Sequence, residues 1–117
     1  MIVVPAEVYI ATAPIDLRQS FDRLCAIVRD QFGIEPRVDA MFVFHNRHRT
    51  HVKILARDAT GWWILYKRLD RGTFRIPLPV PPDAKRVRID RRELLLLLEG
   101  IDRAKLRAAR ASLRSSH

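Results

Sequence analysis

The chain has 117 residues, 48% hydrophobic and 30% charged, which suits the core of one domain and excludes a disordered polymer. Its formal net charge of +9 points toward an anionic partner. A single cysteine rules out an internal disulfide and fits a reducing cytoplasm, and no apolar run approaches the roughly 18 residues that a membrane-spanning helix needs. The start, MIVVPAEVYIATAP, has no basic flank and is interrupted by Pro5 and Glu7, so it does not read as a signal peptide. Glu7 to Ala11 reads as a short strand closed by Thr12-Ala13-Pro14. Asp16, with Gln19 three residues on, resembles a capping box and predicts a helix from Asp16 to Phe32. Leu17, Phe21, Leu24, Cys25, Val28 and Phe32 form one apolar stripe along it, and Gly33 supplies its stop. Cys25 on that stripe reads as a small buried hydrophobe rather than a reactive thiol.

Met41 to Phe44 predicts a strand, continuous in hydrophobicity and therefore central. A polar connection, His45 to Thr50, leads to a second strand, His51 to Arg57, in which Lys53 and Arg57 share a face. Asp58-Ala59-Thr60-Gly61 is a hairpin turn, and Trp62 to Leu69 returns as a long strand. Asp70-Arg71-Gly72 makes another turn before a short strand from Thr73 to Ile76. Pro77, Pro79, Pro81 and Pro82 form an extended linker, and Val87 to Ile89 a last short strand. Asp90 with Glu93 repeats the capping-box signature and opens a helix running through Glu99 and stopped by Gly100. Leu94 to Leu98 is an unbroken leucine run. A helix facing one core cannot hide all five, so it is either buried on both sides or seats a partner. Residues 103–117 carry Arg103, Lys105, Arg107, Arg110 and Arg114 and no acid, a tail expected to be a frayed helix or to order on an anionic partner. The expected fold is α+β: an antiparallel meander of about five strands packed with an N-terminal helix, then a leucine-rich helix and a basic tail. Residues 1–102 form one domain and 103–117 the tail.

The charge is lopsided. Residues 1–44 hold four basic and six acidic groups, whereas residues 45–117 hold eighteen and seven. Arginine supplies eighteen of the 22 basic side chains, and its planar fork suits phosphate and guanine edges. The candidate nucleic-acid contacts are Arg47, Arg49, Lys53, Arg57, Lys67, Arg68, Arg71 and Arg75, interleaved with Trp62 and Trp63, whose rings could stack on bases. The sharpest local motif is Lys67 to Phe74, a strand end and turn able to offer cations to phosphates. Trp62 and Trp63 point to opposite faces of one strand, so one of them needs cover other than the core beneath the sheet. Trp62, Leu95 and Leu97 are the candidate partner-binding residues.

No catalytic residues, metal ligands or cofactors are assigned. His45, His48 and His51 span a strand end, a loop and a strand start, and Arg47 and Arg49 beside them would repel a cation. Asp16 and Asp90 read as helix caps, Asp58 and Asp70 as turn formers. There is no Ser/His/Asp ordering, phosphate-cradling glycine loop or paired CxxC.

Several blocks occur in an order that resembles the TnpB accessory-protein family, the second open reading frame of bacterial insertion-sequence family 66. Val8-Tyr9-Ile10-Ala11-Thr12 precedes Asp16-Leu17-Arg18 and Phe21-Asp22-Arg23-Leu24, followed by Phe42-Val43-Phe44, Asn46-Arg47, Lys53-Ile54-Leu55 and Asp58. The most specific block is Gly61-Trp62-Trp63 with Tyr66 to Phe74 and Pro77, and the match closes with Glu93-Leu94 and Leu97 to Asp102. Ala56 stands where the family often has tryptophan, Arg37 to Ala40 where it has a small-residue turn, and the extension after Asp102 is not a shared signature. The resemblance implies an accessory protein that acts alongside a separate transposase and does not itself carry out strand transfer. The expected function is therefore non-catalytic assistance to transposition, with DNA at the transposon ends and the transposase as partners, in the cytoplasm and at the nucleoid. The alternative is an adaptor that docks the transposase or a second copy through the leucine-rich helix without touching DNA. An RNA-binding module is a third reading.

Overall fold

In the computed structural model, residues 4–5, 7–37, 39–79, 81–102 and 107–112 are described. Five strands form one mixed sheet: β1 (Glu7–Ala11), β2 (Ala40–His45), β3 (His51–Arg57), β4 (Trp62–Arg68) and β5 (Arg86–Ile89). Their spatial order is β4-β3-β2-β1-β5. Only β2, β3 and β4 make the antiparallel meander that the sequence predicts. β1 lies inside the sheet, parallel to β2, and β5 pairs antiparallel on its far side. The parallel pair follows from what lies between its strands. Helix α1 (Phe21–Ile27), continuing as a π-helical turn (Val28–Phe32), is a crossover rather than a tight turn, and crossovers return a strand in the same direction.

The predicted strand from Thr73 to Ile76 does not form. Thr73 makes one isolated bridge to Ile101, and the chain then runs across the sheet face with Phe74 sunk into the core. The predicted last strand is present as β5, but it borders β1 instead of extending the meander.

Helix α1 begins later than the sequence suggests. Asp16 does not cap it; its carboxylate accepts hydrogen bonds from the Arg18 backbone N–H at 3.0 Å and the Arg18 guanidinium at 2.7 Å, making a local turn. Ser20 takes the cap position, without a side-chain hydrogen bond. Gly33 ends the helix in the left-handed conformation, as the sequence predicts.

The sheet buries apolar side chains on both faces. Tyr9, Phe42, Phe44 and Leu55 meet Leu24, Cys25, Val28 and Phe32 on one face. Val8, Ile10, Met41, Val43, Val52, Ile54 and Phe74 meet helix α2 (Arg91–Glu99) on the other. Two-sided burial explains why every residue of β2 is buried and why its sequence shows no alternation. The α2 capping box is complete: the Asp90 carboxylate accepts the Glu93 N–H at 2.8 Å while the Asp90 N–H donates to Glu93 Oε1 at 3.2 Å. Leu94 and Leu97 are buried and Leu98 is partly so, leaving Leu95 and Leu96 each 59% exposed. In the basic tail, residues 107–112 are helical; Arg103, Lys105 and Arg114 lie outside the described residues.

Candidate nucleic-acid interface

The β2–β3 loop organises one end of the sheet. Asn46 folds it by accepting the Thr50 and His51 backbone N–H groups on Oδ1 at 2.9 and 3.0 Å, while its amide donates to Thr50 Oγ1. Arg49, at the tip, has a φ of 57°, uncommon outside glycine, and the loop's own bonds hold it there. Its carbonyl accepts the Phe74 N–H at 2.7 Å, so this loop is fastened to the segment after β4. That segment is fastened in turn to the end of α2, where Thr73 and Ile101 exchange backbone hydrogen bonds at 2.9 and 2.8 Å. Gly72 makes the junction possible: its φ is 78°, and a Cβ there would collide with the Ile101 carbonyl.

These fastenings enclose a cleft of about 520 Å³ lined by Arg49, Thr73, Phe74, Arg75, Ile101, Arg107 and Arg110. Among the described lining residues four are arginines and none is acidic. Two come from the predicted set, Arg49 and Arg75. The other two belong to the helical tail segment, which the sequence marks only as an acid-free basic stretch able to order on an anionic partner and not as part of the sheet's contact set.

The remaining candidates spread over the molecule as the pleat dictates. Lys53, Arg57 and Arg68 project on the α1 side of the sheet and Lys67 on the α2 side. Lys53 is half-buried with its ammonium donating to the Leu17 carbonyl. Arg57 lies over the Trp62 ring at 4.9 Å. Lys67 donates to the Leu98 carbonyl at 2.7 Å, satisfying a carbonyl in the last turn of α2. Arg47, Arg68 and Arg71 are exposed at or beside the cleft end of the sheet. The eight candidates therefore do not form one face; Arg49 and Arg75 are the two that share the cleft.

Ion pairing separates two populations of arginine. Among the described residues, Arg18 pairs with Asp16, Arg29 with Glu35, Arg37 with Glu7 and Asp39, and Arg88 with Glu7. None of the eight candidates, nor Arg107 or Arg110, has a carboxylate within ion-pair distance among those residues. Among the described residues the ion pairs thus lie on β1, β5 and the segments around α1, away from the cleft arginines.

The predicted partner-binding residues fare differently from one another. Trp62 is half-buried, edge-on to Phe21 at 5.0 Å between centroids. Leu97 is 5% exposed and belongs to the core, so it is not available to a partner; the helical period turns Leu95 and Leu96 outward instead. Leu96 and Leu97 line a second, more apolar cleft of about 390 Å³ with Ile89, Glu93 and Pro77. The three histidines do not converge. His45 is buried with its ring nitrogens facing the Ala11 and Asn46 carbonyls, whereas His51 Nδ1 faces Thr50 and Asn46. Among the described residues no helix is long and apolar enough to cross a membrane.

Fold and charge together define a small α+β protein with an arginine-lined cleft at one end of its sheet. Residues 6–108 match the family described as IS66 Orf2 like protein, and the chain belongs to that family, which ties it to insertion-sequence transposition. It is similar to the uncharacterized protein y4hO of Sinorhizobium fredii, 34% identical over 96 residues covering 82% of this chain and 81% of that one. The uncharacterized protein y4jC of the same organism is 28% identical over 96 residues, covering 82% and 80%. No solved structure matches.

Proposed function

We propose that this chain is a non-catalytic accessory protein of insertion-sequence transposition that binds DNA by holding phosphates at the arginine-lined end of its sheet. The observation that carries this is the cleft itself: Arg49, Arg75, Arg107 and Arg110 around one cavity, with no acid among its described lining residues. Guanidinium groups crowded without counter-charge repel one another, and an oxyanion relieves that repulsion with bidentate hydrogen bonds. Arg47, Arg68 and Arg71 extend the cationic region beyond the cleft and would follow a nucleic-acid backbone away from it. Family membership supports transposon-end DNA as the polyanion and a separate transposase as the chemical partner.

Fluorescence anisotropy against duplexes carrying the element's ends, at several salt concentrations, tests this. Binding at low salt with an affinity that falls steeply as salt rises is expected, because each neutralised phosphate releases counterions. An absence of binding at low salt would end the proposal.

The exposed Leu95 and Leu96 favour a second reading, an adaptor that seats α2 on the transposase. Leu95→Asp separates the two: loss of transposase binding from a chain that has no DNA affinity with or without the substitution supports the adaptor role alone.

A further inference from the structure

Strand β4 is the outer strand of the sheet, and its sequence, Trp62-Trp63-Ile64-Leu65-Tyr66-Lys67-Arg68, is apolar for five residues. Long apolar edges pair with other strands unless something blunts them. Here the two cations sit at one end only, and Trp63, Ile64, Leu65 and Tyr66 are all exposed. The direction of the free backbone groups follows from the ladder. Leu69 donates to Thr50, and Gly61 accepts from Asp58, so odd-numbered residues along β4 turn their N–H and C=O toward β3. The even-numbered residues Trp62, Ile64, Tyr66 and Arg68 turn theirs outward, and among the described residues nothing bonds them.

We propose that β4 pairs antiparallel with β4 of a second copy, about a two-fold axis at Leu65. In that register Trp62 meets the partner's Arg68 and Ile64 meets the partner's Tyr66. These are the outward-facing residues, so all four exchange ladder hydrogen bonds. Trp63 then faces the partner's Lys67, and Leu65 faces itself in a non-hydrogen-bonded pair. The interface is isologous and self-complementary. It sets each cation of one strand over a tryptophan of the other, an attraction the chain already uses where Arg57 lies over Trp62. It also brings the partner's Lys67 toward the Asp58 carboxylate, which accepts the Trp63 indole N–H at 2.7 Å. Shifting the register by two residues loses a pair of ladder bonds and sets the cations past the tryptophans, so the strand selects this one alignment. The result is one sheet continuous across two chains, carrying an arginine cleft on each. The pairing stands on β4 alone and does not depend on what the clefts bind.

Sedimentation equilibrium on the full chain, together with oxidative cross-linking of single-cysteine variants, tests the proposal. At tens of micromolar the wild type should sediment with twice the mass of one chain. Leu65→Cys should cross-link to itself, because facing non-hydrogen-bonded residues lie about 4.5 Å apart between Cα atoms, within reach of a disulfide. Ile64→Cys, whose counterpart faces Tyr66, should cross-link at least tenfold less. Cys25 is buried and does not compete. Ile64→Pro removes an outward N–H without touching the β3 ladder and should return the monomer mass with an unchanged circular dichroism spectrum. A wild-type monomer, or equal cross-linking at positions 64 and 65, would overturn the proposal.

Discussion

Asp58 shows how much one side chain settles at the β3–β4 hairpin. Its Oδ1 accepts the Thr60 and Gly61 backbone N–H groups at 2.9 and 2.8 Å, and its Oδ2 accepts the Trp63 indole. The indole bond first, and then the two backbone bonds, lower its pKa from the ordinary 3.8 to about 2. A lowered folded-state pKa means a stabilisation that is complete above about 3.8 and is lost as pH falls toward 2. Asp58→Asn should therefore lower the melting temperature at pH 5 and lower it less at pH 2.5; a gap of equal size at both would refute the assignment. The turn role of Asp58 is legible in the sequence because an Asx turn is local. That of Asp16 is misread for the same reason: Asp followed by Gln three residues on looks like a cap, but Asp16 is engaged by Arg18 and α1 starts only at Phe21. Gly72 is equally local in cause and wider in effect. Gly72→Ala should destabilise by roughly 1–3 kcal/mol in urea unfolding, since the positive φ and the Ile101 carbonyl both oppose a Cβ.

At the scale of elements, periodicity identifies α2 and the meander, and burial decides what each leucine does. Leu97→Ala should cost about 2–5 kcal/mol in urea unfolding, and Leu95→Ala close to zero, because one fills the core and the other is exposed. Equal losses would mean that α2 is rotated on the sheet. Asp90→Ala should cost about 1 kcal/mol by removing the capping bond to Glu93. The position of β1 is not legible in its own residues. EVYIA reads as a strand, but its parallel place beside β2 depends on α1 packing across the sheet face. The missing strand after β4 has a similar cause, because Phe74 gains more from burial under α2 than Thr73 to Ile76 would from a further ladder at the edge.

At the scale of the whole molecule, charge is sorted by where the acids lie. Glu7 on β1 and carboxylates in the segments flanking α1 pair with Arg18, Arg29 and Arg37, whereas among the described residues no carboxylate lies within ion-pair distance of the four cleft arginines. The sequence shows this imbalance as a number. It does not show that Arg49 and Arg75 meet Arg107 and Arg110, because that depends on the Thr73–Ile101 bridge folding the chain back after α2. Net charge alone would draw any basic protein to DNA, so position is what must be tested. The decisive measurement is the salt dependence of duplex affinity for two variants that lose the same charge, Arg107→Gln with Arg110→Gln and Arg18→Gln with Arg29→Gln. The cleft pair should weaken binding at every salt concentration and lower the slope of log affinity against log salt by about two, while the paired arginines should leave the slope unchanged. Identical slopes for the two variants would contradict a phosphate site at the arginine cleft.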